Sequence, residues 1–407
     1  GYNSPDAASG IIDMTGTAAI SSVSGSITLQ GDGSIAVTTI SSSSGNVVVT
    51  ANYTGPGNTL GDAFGAVTDA TPSADGGTAN ISTGGTLTLS AASGIGATGD
   101  ADLDITVATL SATNTSSGDI FIAETNGLSV TGATTSGGNG NIDIRTATGS
   151  FTVSGAVTAN GSGDVTLVAT GGQLIVNATI TSSTGDISLT GGTGVTHNAS
   201  GDITTTGIGT ITVAATTGNI SMADGTVYAT ESGTVSITAA TSIVLAEITA
   251  TSSAVSLTAT AGSITEITAA ETANITTSAT ATLSAATGIG ASGSGSIDTA
   301  IASLQATNSV SGDIFITEAN TLDVSGTGLR TLAGNGSVTL TVAAGSLSIN
   351  ANISAHGTGI ITLNTTVGDT TQSAGTITAS GRLLLGAGSF TLNQSGNDVD
   401  SLAADLN

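Results

Sequence analysis

The chain has 407 residues, among them 59 glycines, with 8% charged and 2% aromatic residues and neither cysteine nor tryptophan. Its formal net charge of −25 sets 28 acidic residues against Arg145, Arg330 and Arg382, with no lysine. This excludes nucleic acid and anionic membranes as partners, since a polyanion needs a cationic face, and the shortage of large side chains excludes a broad globular core.

Disorder is excluded as well, because 38% of the residues are apolar and they alternate with polar ones in short β-branched runs. The same runs are too short and too often interrupted by glycine to be helices. No stretch of about 18 apolar residues exists, so no membrane-spanning helix is expected. The opening "GYNSPDAASG" carries no recognisable signal peptide.

In chain order, the first departure from alternation is residues 51–79, "ANYTGPGNTLGDAFGAVTDATPSADGGTA", which hold Pro56 and Pro72. These residues are expected to form an irregular loop insertion at one corner of the fold. Function concentrates on such loops, so Tyr53, Phe64, Asp62, Asp69 and Asp75 are the candidate interaction residues. A plain surface excursion is the competing reading.

Regularity is clearest after the loop. In "GNIDIRTATGSFTVSGAVTAN" a glycine opens an apolar-x-apolar run, a second glycine opens "GSFTV", and a third run, "AVTA", follows. The first glycine of each unit falls at Gly118, Gly140, Gly163 and Gly185, and again at Gly336, Gly359 and Gly381, a spacing of 22 or 23 residues. Three short strands per unit with glycine at the corners predict an all-β fold, a right-handed parallel β-helix of roughly 22 residues per coil. An antiparallel sandwich also has short, evenly spaced strands, but it does not predict this recurring triplet. The whole chain, 1–407, is read as a single β-solenoid of about 16 to 18 coils.

A longer duplication overlies the coils. "SGDIFIAETNGLSV" at 117–130 returns as "SGDIFITEANTLDV" at 311–324, and "SAASGIGATG" at 90–99 as "SAATGIGASG" at 284–293. Residues 80–189 are the first copy and 274–385 the second, with a two-residue slip expected at a corner. Residues 190–273 are intervening coils, where "GTVSI" and "AVSL" suggest a shorter turn, and 386–407 form a terminal coil. There, "SGNDVDSLAADLN" keeps spaced apolar residues that a further coil would cover.

Catalysis by acid and base needs paired carboxylates or an oriented histidine. His197 and His356 lie at different points of the pattern and are read as outward corner residues. Calcium has two weak candidates: "GGNGNIDIR" at 137–145, which is faintly like the calcium-binding nonapeptide but is not repeated in tandem, and a row of corner residues, Asp119, Asn141, Asp164 and Asp186. Its counterparts in the second copy are read as Asp313, Ser337, Ile360 and Arg382, which no calcium row would accept. The row is therefore assigned to hydrogen bonds with the corner backbone. No cofactor, metal or catalytic residue is expected, and the chain is not read as an enzyme. Thr-x-Thr runs such as 86–88 and 179–181 do not hold one slot in every coil, so ice binding is a weak match. Few basic or aromatic residues argue against a polysaccharide-degrading β-helix.

The coils "SGDIFIAETNGLSV", "GNIDIRTATGSFTVSGAVTAN" and "GDISLTGGTGV" resemble repeats of filamentous-haemagglutinin-like bacterial exoproteins, in the same broad class as secreted β-strand-repeat adhesins. The resemblance covers about residues 20–400 and rests on repeat style. It implies a secreted or cell-surface β-helix acting as a fibre or in adhesion. The secretion-domain motif of two-partner-secreted members is not evident, which implies an internal portion, a processed product or another export route. The expected function is a structural protein of a surface fibre or biofilm matrix that self-associates end to end or laterally. The alternative is an adhesin stalk that presents a binding region to cell-surface or matrix components.

Overall fold

The computed structural model describes residues 10–53, 63–72, 79–267 and 273–406. They fall into two compact units, Gly1–Gly209 and Thr210–Asn407. Each unit is a parallel β-solenoid, and between them the chain makes about 16 turns of ~23 residues with about three strands per turn. Among the described residues the only helix is a single 3-10 turn, Gly293–Gly295.

Alternation builds the stack. Successive side chains in a strand point to opposite faces, so the Val and Ile at every second position turn into the coil and the hydroxyls between them turn out. In the first unit Ile120 pairs with Ile142, Ile142 with Val165, and Val165 with Ile187, all on neighbouring parallel strands. All four are fully buried. In the second unit Ile314, Val338 and Ile361 stack in the same way. The core is thus a set of columns one aliphatic side chain wide. Each fully buried Val, Leu or Ile contributes about 1.5–3 kcal/mol relative to exposure.

One coil shows the three sides clearly. Strands Ile142–Thr146, Phe151–Val153 and Val157–Ala159 pair with Val165–Ala169, Gln173–Val176 and Ile180–Ser182 of the following coil. Outside the third side, Thr158, Thr181 and Thr204 form a row, and Thr181 Oγ1 donates to Thr158 Oγ1 at 3.2 Å. The coil from Val235 to Val255 takes 20 residues, the shorter turn the intervening sequence suggests.

The opening coils of each duplicated copy depart from three short strands. Two sides merge into the long strands Ile81–Ala91 and Leu103–Asn114 in the first copy, and Ile275–Ala285 and Ile297–Asn308 in the second. The remaining side, the one that carries Ile120 and Ile142, shrinks to a single bridging residue, Ile95 between Val67 and Ile120, and Ile289 between Ile264 and Ile314. A register shift between Thr83 and Thr86, or between Thr277 and Thr280, bends each long ladder where a corner would otherwise be.

Glycine is required where coils approach closely. Gly118 and Gly312 sit at φ +82° and +87°, and a Cβ on either would lie 2.4 Å from a carbonyl oxygen of the preceding coil. The two-residue slip between the copies lies in the strand Leu322–Thr331. Its register breaks between Val324 and Leu329, with Gly326 and Gly328 at positive φ. The first copy has its own break between Val130 and Gly132 at the equivalent bend.

The expectation of a loop over the whole of 51–79 needs correction. Val67–Asp69 is a strand that pairs in register with Ile35–Val37, and Val67 is fully buried. Here a side of the solenoid runs through what reads as an excursion, because one apolar residue in phase is enough to fill the column.

Candidate functional site

The five candidate loop residues do not come together as a site. Tyr53 and Phe64 are exposed, at 37% and 54%. The Tyr53 backbone N–H donates to the Gly31 carbonyl at 2.8 Å, which ties it to the preceding coil. Asp69 has a structural task. Its Oδ1 accepts from the Thr71 N–H at 2.7 Å, the Thr71 hydroxyl at 3.0 Å and the Asn80 amide at 2.7 Å. Asp62 and Asp75 lie outside the described residues.

The corner row behaves as the backbone-binding reading expects. The Asn141 N–H donates to Asp119 Oδ1 at 2.6 Å, the Asp164 N–H to Asn141 Oδ1 at 2.8 Å, and the Asp186 N–H to Asp164 Oδ1 at 2.8 Å. Each side chain therefore binds the backbone of the next coil. In the second copy the Ser337 N–H donates to Asp313 Oδ1 at 2.7 Å and the Ile360 N–H to Ser337 Oγ at 3.2 Å. Arg382 does not occupy this row. Ile360 pairs with Gly381, and Arg382 stands one residue on, opposite the buried Ile361. Burial lowers its pKa.

Of the two histidines, His356 is exposed as expected, but His197 is fully buried. It ends the strand Gly194–His197 and stacks on Val176. Its Nδ1 lies 3.0 Å from the Gly201 carbonyl, so that nitrogen carries the proton and donates. Burial pushes its pKa down to about 4, which leaves the ring neutral at pH 7. The alternation of Val195 and His197 places it in the inward phase, and the outward reading overlooked that signal.

The same phase puts polar residues inside both copies. Asn114 ends the inward series Leu110, Ala112, Asn114. Its Oδ1 accepts from the Gly94 N–H at 3.1 Å, and its amide donates to the Ser117 and Gly118 carbonyls at 2.7 and 2.5 Å. Asn308 repeats the set with Gly288, Ser311 and Gly312 at 3.0, 2.6 and 2.5 Å. Glu124 follows Ile120 and Ile122 inward, and its two carboxylate oxygens accept from the Val107 and Asn126 N–H groups, both at 2.8 Å. Glu318 accepts from the Ile301 and Asn320 N–H groups and from the Thr299 hydroxyl. Burial pushes Glu124 up to about 7, against the pull of its N–H partners, and raises Glu318 as well.

One cleft in the first unit gathers charge. It measures about 440 Å³ and lies beside the outward faces of strands Ile120–Glu124 and Ile142–Thr146, with Thr98, Asp100, Asp102, Phe121, Asp143 and Arg145 in its walls. Phe121 pairs with Asp143, and Ala123 with Arg145, across the two strands. Residues 97–102 form a tight turn closed by the Ala97 N–H to the Ala101 carbonyl at 2.7 Å and the Asp102 N–H to the Gly99 carbonyl at 3.0 Å. Arg145 donates from Nε and Nη2 to the two oxygens of Asp143, both at 2.7 Å. This bond, together with the charge of Asp102, raises the guanidinium pKa. A second cleft, of about 540 Å³ in the second unit, is walled by Thr249, Thr276, Ser278 and Asn320 among others and holds no titratable group. Among the described residues no three His, Asp or Glu converge as metal ligands.

No family model, no curated protein and no solved structure matches this chain.

Proposed function

We propose that the chain is an extracellular or cell-surface structural protein, a β-solenoid that extends or builds a fibre by self-association. The observation that supports this reading is where its polar groups are used. Asp119, Asn141 and Asp164 bind the backbone of successive coils, and Asn114, Asn308, Glu124 and Glu318 bind backbone N–H or C=O groups inside the coil. Residue types that elsewhere do chemistry here hold one coil to the next. Parallel coils in register also present their outward hydroxyls in straight rows, such as Thr158, Thr181 and Thr204, which suit lateral packing against a second copy. A filamentous-haemagglutinin-like character belongs to the same proposal and rests on the repeat style of the coils.

Negative-stain electron microscopy of the purified full chain over a range of concentrations tests it. Filaments or laterally ordered bundles are expected; separate particles at every concentration would overturn the reading. The exposure of Tyr53 and Phe64 favours the adhesin stalk as a second reading. Replacing both with serine separates the two: adhesion lost with fibres intact supports the stalk, and fibres lost supports assembly.

A further inference from the structure

The cleft beside Arg145 is set apart by its composition. Four of its eight lining residues are charged, against 8% in the chain as a whole. The second copy offers an internal control. The positions equivalent to Asp100, Asp102, Asp143 and Arg145 are Ser294, Ser296, Thr339 and Thr341, and the strands that carry the last two positions pair in the same register in both copies. The fold therefore does not need the charges. Phe121 has its counterpart in Phe315, but a neighbouring pair differs. In the second copy Ser296 Oγ lies 2.8 Å from Thr317 Oγ1, so two hydroxyls meet there. In the first copy the corresponding residues are Asp102 and Ala123, so a methyl group stands opposite Arg145 where the second copy has a hydroxyl.

We propose that this cleft binds one pyranose ring of a glycan, either uncharged or carrying an ammonium group. Its volume lies within the range of about 300–1,000 Å³ seen for small-ligand sites. Phe121 supplies an apolar face for the C–H side of the ring. The carboxylates of Asp100, Asp102 and Asp143 accept from sugar hydroxyls, and Arg145 donates, with charge-assisted strength. The bidentate bond to Asp143 holds the guanidinium plane before ligand arrives, which reduces the ordering cost of binding. Three carboxylates against one guanidinium repel a uronate or a sulfated sugar. The site goes beyond the fibre reading and stands independently of it.

Saturation-transfer NMR and calorimetry on the full chain test the assignment, with the methyl glycosides of glucose, galactose, mannose and glucosamine as probes and galacturonate as the anionic control. At least one of the four glycosides is expected to bind, with a dissociation constant on the order of 1 mM, and galacturonate is not. The double variant Asp143→Thr/Arg145→Thr, which installs the residues of the second copy, weakens binding at least tenfold. Ala123→Thr, which installs the second copy's hydroxyl opposite Arg145, gives a similar loss, and Thr341→Ala in the second copy changes nothing. Binding by none of the four, preference for galacturonate, or unchanged affinity in both first-copy variants would overturn the proposal.

Discussion

The two copies of the duplicated block share their pattern of buried positions and differ in the charge they carry outside. The strand Leu103–Asn114 and its counterpart Ile297–Asn308 have the same sequence of buried and exposed positions along all 12 residues. The amides of Asn114 and Asn308 bind the same three backbone groups, with distances that agree within 0.1 Å. On the outer surface the first copy carries Asp100, Asp102, Asp143 and Arg145, where the second has serine and threonine. At one corner the pattern reverses: exposed Val310, Leu332 and Ile360 stand where the first copy has Ser116, Ser136 and Asp164. The phase of each column is held, while its contents vary in size and polarity, as Leu87 and Ala281, Ile105 and Thr299, and Phe151 and Leu347 show. The outward positions contact solvent, and there the two copies diverge.

Matched truncations test how much the contents of a column matter. Leu110 and Leu304 occupy the same fully buried slot, but Leu110 pairs with Leu87 and Leu304 with Ala281 on the preceding strand. Leu110→Ala and Leu304→Ala are each expected to cost about 2–5 kcal/mol in denaturant unfolding; a cost below that range for either would show that its column closes over the gap.

A smaller effect concerns the buried glutamates. Burial holds Glu124 at about 7, above the ordinary 4.5, so the folded chain holds this proton more tightly than the unfolded chain. Its contribution to stability is complete below about pH 4.5 and is lost as the pH rises through 7. After solvent screening the loss amounts to about 1–2 kcal/mol. His197, held near 4, acts in the opposite sense and adds stability as the pH rises towards 6.5. The measurement is therefore the difference between parent and Glu124→Gln: unfolding from pH 4 to pH 8 should show the parent losing more stability, or gaining less, than the variant over this window. Glu318→Gln should differ from the parent in the same direction; an unchanged slope in both variants would separate these residues from the pH response.

The smallest change is at the corner. Asn141→Ala removes the acceptor for the Asp164 N–H and should cost about 0.5–1.5 kcal/mol. Asn141→Ser should cost less, because Ser337 already serves in the second copy. Amide hydrogen exchange at Asp164 reads the difference directly.

Much of the architecture was legible in the pattern of alternation. The stacking of Ile120 on Ile142 follows from it, as does the burial of the aliphatic columns. The candidate sites were less legible. Tyr53, Phe64 and Asp69 stand out in the sequence because they interrupt the pattern, yet Asp69 is spent on Thr71 and Asn80. His197, Glu124 and Asn114 conform to the pattern and were passed over, although the period of two marks each as inward. Arg382 was misplaced by one residue, because sequence spacing does not record which residue of a corner pairs with which.

By itself, the sequence determined a parallel β-solenoid of short coils, since a period of two inside a period of about 22 residues allows little else. Tertiary structure alone decided the cleft. Asp102, Phe121 and Arg145 are scattered along some 40 residues, and only the stacking of coils in register brings them to one wall. Periodicity fixes which way a side chain points, whereas a site requires knowing which side chains of different coils lie next to each other.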